Sequence, residues 1–122
     1  MVKIINLTQH AATAEQSAAG VVDFVPEIKA QIQALLTFDT IPDAREIKTR
    51  AEKLTALVES WGFTKAMIGS APFLMGALES ELKNRGIQPM YAFSVRDSVE
   101  KQNPDGSVTK QTVFKHSGFI EV

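Results

Sequence analysis

Three short apolar runs alternate along the chain with longer segments whose apolar residues recur at helical spacing. This alternation limits the fold more than any other feature. The runs are residues 2–7, 66–69 and 90–95. Short runs of this kind bounded by turn residues are typical of buried strands. Strands separated by helices imply right-handed crossovers and parallel pairing. The sequence therefore predicts one α/β domain over residues 1–122 with a mainly parallel sheet.

The helical segments have recognisable start and stop residues. Residues 11–19 are alanine-rich and predict a helix stopped by Gly20, whereas residues 21–25 fit either a connector or a brief strand. Apolar spacing predicts three more helices. The first begins at Pro26, and the second has Asp43 as N-cap with Glu46 three residues later, as in a capping box. The third opens at residues 70–72. The last two helices should end at Gly62 and Gly86.

The C-terminal part has a different pattern. The sequence Asn103-Pro104-Asp105-Gly106 is a strong turn signal between residues 98–102 and 107–114. These flanking segments predict a β-hairpin. Residues 118–122 predict a last short strand that completes the sheet, antiparallel at an edge. The sheet should therefore be parallel for the most part and carry an antiparallel hairpin at its C-terminal side.

The amino-acid composition and net charge exclude several classes of function. The chain has 122 residues, 44% of them hydrophobic, and a formal net charge of -1. That charge gives no general positive field for polymeric nucleic acid, although a local pocket can still bind a small anion. Cysteine is absent, which excludes disulfides and thiol chemistry. The two histidines lack metal-ligand spacing. We expect no metal, no cofactor, no membrane partner and a cytoplasmic location, since neither a signal segment nor a membrane span is evident.

Polar residues follow each predicted parallel strand. Thr8, Gln9 and His10 follow the first strand, and Gly69 and Ser70 follow the second. Ser94, Arg96 and Ser98 lie at the end of the third. Ligands of open parallel sheets bind beyond the carboxyl ends of the strands. The convergence of these three groups predicts a binding site there.

Each of these groups has a functional and a structural interpretation. His10 can act as a general acid or base, or it can cap a loop carbonyl. The helix start after Gly69 carries no acidic residue in its first turn and suits an anion, unless Ser70 is an ordinary N-cap. Arg96 can bind phosphate through its guanidinium fork, or it can pair with Asp97 or Glu100. His116 fits a structural partner near the last strand.

Several motifs resemble small CRISPR-associated ring-nuclease-like proteins. The opening Asn6-Leu7-Thr8-Gln9-His10, with Thr13-Ala14-Glu15-Gln16 beyond it, resembles the start of those proteins. The ending also resembles theirs, with Arg96 after a strand, Glu100, a turn at Gly106 and Val113-Phe114-Lys115-His116. The segment Ile68-Gly69-Ser70-Ala71-Pro72 occupies the place of their glycine-containing strand-to-helix loop. Together these motifs span most of the chain.

The resemblance implies a Rossmann-like three-layer sandwich that binds cyclic oligoadenylates, the second messengers of type III CRISPR antiviral defence. It implies a homodimer whose twofold axis matches a symmetric ring ligand. It also implies a metal-independent hydrolase in which a ribose 2′-hydroxyl attacks its adjacent phosphodiester. Ser70 and Arg96 would then hold phosphate and His10 would be the acid or base. Thr8 and Gln9 would contact ribose or adenine, with Gly69, Ser94 and Ser98 as further ligand-binding residues.

Two other functions remain open from the sequence. The same strand-end cluster fits a non-catalytic domain that binds or sequesters a nucleotide. The C-terminal β segment fits a protein-interaction module that uses the hairpin and the final strand as a pairing edge. The slightly acidic chain and the apolar loop at residues 69–73 also fit a smaller or less charged ligand than a cyclic oligoadenylate.

Overall fold

The computed structural model describes residues 2–122, and the strands in this range form one five-stranded sheet in the order β2-β1-β3-β4-β5. The strands are β1 (Ile4–Thr8), β2 (Val21–Val22), β3 (Lys65–Gly69), β4 (Gln88–Gln102) and β5 (Val108–Glu121). The helices are α1 (Ala14–Ala18), α2 (Pro26–Leu36), α3 (Ala44–Ser60) and α4 (Pro72–Asn84). Strands β1 to β4 pair in parallel, and β5 is antiparallel to β4. The predicted α/β fold with a mostly parallel sheet and a C-terminal hairpin is confirmed.

The two faces of the sheet are covered unequally. On one face, Ile5 and Leu7 of β1 and Ile68 of β3 pack with the buried residues of α2, α3 and α4 in the main core. The other face holds a small separate cluster of Ile4, Val21, Met67 and Met90, against which Ala12 and Phe119 pack. Because the three long helices share the first face, the second face has only light cover near the strand ends.

Helix boundaries follow the capping chemistry. The Asp43 side chain accepts a hydrogen bond from the Glu46 amide at 2.8 Å, as predicted. The Glu46 carboxylate does not complete a capping box, because it pairs with Arg50 at 2.9 Å. A full capping box occurs instead at α1, between Thr13 and Gln16, and it starts that helix later than residue 11.

Glycines end the two longest helices where the sequence predicts. Gly62 and Gly86 follow α3 and α4 with φ values of +77° and +73°. This left-handed backbone region is costly for residues with a β-carbon, so glycine is the residue that fits. The short run after Gly20, which the sequence leaves between a connector and a strand, forms β2 and pairs with β1.

The C-terminal strands are longer than predicted. The sequence suggests separate strands over residues 90–95, 98–102, 107–114 and 118–122, whereas β4 and β5 are continuous, with one register shift at Phe93/Ser94. The partner of β4 on its other side, β3, pairs only as far as Tyr91. Residues 93–102 and 108–118 thus form a two-stranded extension beyond the sheet, here called the ribbon. In the described part of the chain, no ribbon residue is among the buried residues of either hydrophobic cluster. The hydrophobic pattern of the sequence therefore does not show that the two strands are continuous.

Within residues 2–122, no helix combines the length and the apolar character needed to cross a membrane.

Candidate ligand pocket at the strand ends

An open cavity of about 450 Å³ lies at the carboxyl ends of β1 and β3. The chain passes from β1 outward to β2 and then returns past β1 to β3, so the strand order reverses between β1 and β3. This reversal is where ligands of open α/β sheets bind. The cavity is lined by Thr8, His10, Ala11, Thr13, Gln16, Met67, Ile68, Gly69, Tyr91 and Ala92. The structure therefore brings Thr8, His10 and Gly69 together, as the strand-end argument predicts.

Strand register places Thr8 and Gly69 side by side at the cavity. They are paired residues of β1 and β3. Among the described residues, a β-carbon added at Gly69 would meet only the Thr8 Cγ2 methyl, at 3.8 Å, which is ordinary van der Waals contact. The missing side chain at Gly69 therefore leaves space in the cavity wall rather than relieving a clash.

A buried asparagine that the sequence argument missed holds the loop around the cavity. The Asn6 side chain is 5% exposed, and its Nδ2 donates to the His10 carbonyl and to Asp23 Oδ1, both at 2.7 Å. Its Oδ1 accepts from the Thr8 amide at 3.0 Å and from Thr8 Oγ1 at 2.6 Å. Asp23 also accepts from the Ala12 amide at 3.2 Å. The position of His10 therefore depends on Asn6 and Asp23.

Gln9 and Ser70 lie outside the cavity lining and serve the end of α2. The Gln9 Nε2 donates to the Leu36 carbonyl at 3.3 Å, and Ser70 Oγ donates to the same carbonyl at 3.5 Å. α2 passes into an extended Thr37 without a glycine cap, so its last carbonyls need such partners. The alternative interpretation of Ser70 as the N-cap of α4 is wrong, because Ala71 is the N-cap and no side chain caps it.

Ser94, Arg96 and Ser98 lie on the same face as the cavity but progressively farther from it. They follow Ala92 by two, four and six residues on β4. At ~3.3 Å per residue, Arg96 lies about 13 Å and Ser98 about 20 Å along the strand from Ala92. The Arg96 guanidinium sits 5.7 Å from the Phe114 ring centroid. Among the described residues it makes no ion pair with Asp97 or Glu100. One copy of the chain does not bring Arg96 to His10.

His116 shares this face, since it pairs with Ser94 on the neighbouring strand. Its ring packs against Phe119, with 4.8 Å between the ring centroids. Its Nδ1 is buried and has no hydrogen-bond partner within residues 2–122. The structural interpretation from the sequence accounts for the packing of the ring, but not for this nitrogen.

The cavity lining is mainly apolar and carries no Lys, Arg, Asp or Glu in the described part of the chain. His10 is its exposed titratable group. Tyr91 borders the cavity, but its hydroxyl lies on the helix-covered side of the sheet, where it donates to Glu79 Oε2 at 2.6 Å. Burial, followed by the hydrogen bond and the charge of Glu79, raises the pKa of Tyr91 well above its usual value, so the phenol stays neutral. The arrangement suits uncharged parts of a ligand inside and its charged parts at the rim. Residues 2–122 contain no group of three His, Asp or Glu side chains placed to hold a metal ion.

A second depression, of about 600 Å³, lies between α2 and α3. It is lined by outer residues of these helices such as Ala34, Leu35, Lys53 and Leu57. It lies away from the strand ends and none of the predicted site residues lines it. We therefore take the cavity at the strand ends as the candidate site.

Fold and site together define a mixed α/β protein with an open pocket at the switch point of a mostly parallel sheet. A family model matches residues 2–120, and the chain belongs to that family, described as the uncharacterized protein MJ1673 family. No curated protein and no solved structure matches the chain.

Proposed function

We propose that this chain binds a nucleotide in the cavity between β1 and β3. The observation that carries the proposal is the meeting of Thr8, His10 and Gly69 at the point where the strand order reverses. The proposed fold description is a Rossmann-like three-layer sandwich, with α1 as a reduced layer opposite α2, α3 and α4. Connections between parallel strands are right-handed as a rule. Since the connections to β2 and to β3 run in opposite directions across the sheet, this rule puts α1 on the face opposite to α2 and α3, which supports the sandwich.

The proposed ligand class is a cyclic oligoadenylate. The uncharged lining next to Thr8, Thr13 and Gln16 offers hydrogen-bonding groups for a base or a ribose. The phosphates would lie toward Ser94 and Arg96, which continue the same face outward along β4. This division keeps phosphate charge at the rim, where solvent and Arg96 reduce its cost. A cytoplasmic location belongs to the same proposal.

We further propose that the bound ring is cleaved without a metal ion, as in ring nucleases. The ribose 2′-oxygen attacks the adjacent phosphorus and the 5′-oxygen leaves, which gives a cyclic phosphate and a free 5′-hydroxyl. His10 is the candidate for taking the 2′-hydroxyl proton or protonating the leaving oxygen. Because Arg96 lies about 13 Å from Ala92 in its own chain, cleavage requires the ribbon of a second copy or a ring wide enough to reach it. A homodimer would match the symmetry of the ring.

The experiment is incubation of the purified protein with cyclic tetra-adenylate in the presence of a chelator. The expected result is shorter linear products, formed more slowly by His10→Ala and by Arg96→Ala. Lys53→Ala, in the groove between α2 and α3, serves as the matched control and should cleave at the wild-type rate. Unchanged ligand in single-turnover reactions would contradict the cleavage step.

Binding is tested separately by thermal unfolding. At a hundredfold excess of ligand over Kd, mass action stabilises the folded state by about 2.7 kcal/mol. For a domain of this size that is a rise of roughly 10 °C in Tm. Gly69→Leu should abolish the rise by filling the cavity, whereas Gly69→Ala should keep it. If no nucleotide shifts the Tm of the wild type, both binding and cleavage are wrong.

A non-catalytic sequestering domain is the second candidate. It is favoured because, among the described residues, the cavity lining holds no second exposed titratable side chain to act with His10. It predicts the same stabilisation by cyclic tetra-adenylate, with the ligand recovered intact after long incubation.

A further inference from the structure

One face of the ribbon carries an exposed apolar stripe. Phe93, Val95 and Val99 of β4 alternate in sequence and therefore share a face, and Val113 of β5 shares it because it pairs with Asp97. These four side chains, here called the apolar stripe, are 48%, 40%, 40% and 38% exposed. They point to the side of the sheet that carries the long helices, since Phe93 follows Tyr91 by two residues and Tyr91 bonds to α4.

The ribbon is a costly feature for an isolated chain. Two-stranded hairpins without a packed face are marginally stable in water. Within residues 2–122 no third strand accompanies the ribbon beyond Tyr91, so both of its edges offer free backbone groups. A second surface laid on the apolar stripe would remove the exposed valines and Phe93 from water and add the layer that the ribbon lacks.

Charges identify the partner. On the same face, Lys115 pairs with Val95, and Asp97 pairs with Val113 in the next row along. Neither Asp97 nor Lys115 forms a salt bridge within residues 2–122. The two central rows are thus Val95 beside Lys115 and Asp97 beside Val113. Each row has one valine and one charged residue. The valine lies on β4 in one row and on β5 in the other, and the two charges have opposite signs.

This pattern is complementary to itself. A twofold axis that lies in the plane of contact and runs diagonally across the two central rows, from Val95 to Val113, superposes a copy in which the acidic and basic positions are exchanged. Asp97 of each copy then lies next to Lys115 of the other, with valines between them. We propose that the apolar stripe is the surface through which two copies of this chain associate.

The inference uses no property of the cavity and does not depend on what the cavity binds. Ser94, Arg96 and Ser98 lie on the opposite face of the ribbon, so association through the stripe leaves them on the cavity side of their own copy and does not bring them to the cavity of the other.

The first test is sedimentation velocity of the full chain and of two variants at neighbouring positions. Val113→Lys places a charge in the stripe and should convert a dimer to a monomer. Thr112→Lys places the same charge one residue earlier, on the opposite face, and should remain a dimer. A wild type that is monomeric at every concentration overturns the proposal, as does a Val113→Lys variant that dimerises like the wild type.

A second test isolates contacts between copies even if Val113→Lys fails to fold. Asp97→Lys and Lys115→Asp each create two like-charge contacts in a homodimer, which should raise its dissociation constant by about 100-fold. Mixing the two variants restores both opposite-charge contacts, so the mixture should dimerise at wild-type concentrations. A mixture that dimerises no better than the separate variants contradicts the proposed pairing.

Discussion

Replacement of Asn6 by alanine should destabilise the fold and loosen the cavity at once. The substitution removes four hydrogen bonds: two to Thr8, one to the His10 carbonyl and one to the Asp23 carboxylate. A bond to a charged group contributes about 1.5–3 kcal/mol and a neutral one about 1 kcal/mol. Water can replace part of the bonding at Thr8 and His10, which lie near the surface, so we expect a loss of about 3 kcal/mol in the free energy of unfolding.

The assay is urea unfolding followed by circular dichroism. With a slope of about 1.5 kcal/mol per molar, that loss lowers the midpoint by roughly 2 M. Asp23→Asn is the control, because it keeps an acceptor for Asn6 and removes only the charge, and it should cost less. Amide hydrogen exchange should also speed up over residues 8–12 in Asn6→Ala. A loss below about 0.5 kcal/mol, with unchanged exchange in that loop, would refute the role given to Asn6.

Three further predictions concern single interactions. Tyr91 is the only tyrosine, so phenolate absorbance reports on it alone, and it should titrate above the usual value near 10. Because its folded-state pKa is raised, its contribution to stability is present below pH ~10 and is lost as the pH rises further, and Glu79→Gln should shift the titration down. Asp43→Ala should cost about 1 kcal/mol in urea unfolding through loss of the α3 N-cap, and an unchanged midpoint would contradict that cap. Leu54→Ala, at a fully buried position, should cost about 2–5 kcal/mol in the same assay, and a loss under 1 kcal/mol would place Leu54 outside the core.

The parallel part of the sheet could be predicted because its strands and the helices packed on it are buried, and burial requires apolar residues at regular spacings. Residues 66–69 are apolar on both faces of β3, and the helices that follow β2 and β3 carry their apolar residues at helical spacing. Burial does not set the sequence pattern of the ribbon in this way. Its residues face water on both sides, so polar positions such as Ser94 and Asp97 did not distinguish a strand from a break between strands.

The sequence predicted where the cavity lies, but only some of the residues that line it. Thr8, His10 and Gly69 follow from where the strands end. Gln9 and Ser70 belong to the same loops, yet they turn toward the Leu36 carbonyl because α2 ends without a glycine cap. The importance of Asn6 depends on contacts with Asp23 in a distant loop. The available signal was a lone amide within a buried apolar strand, which marks a polar group that needs partners.

The measurement that tests the central claim most directly is an NMR titration of the labelled protein with cyclic tetra-adenylate. The account predicts saturable amide shifts at Thr8, His10, Gly69 and Ala92, with smaller shifts reaching Ser94 and Arg96. Shifts confined to the groove at Leu35 and Leu57, or no shifts at saturating ligand, would contradict a nucleotide site at the strand ends.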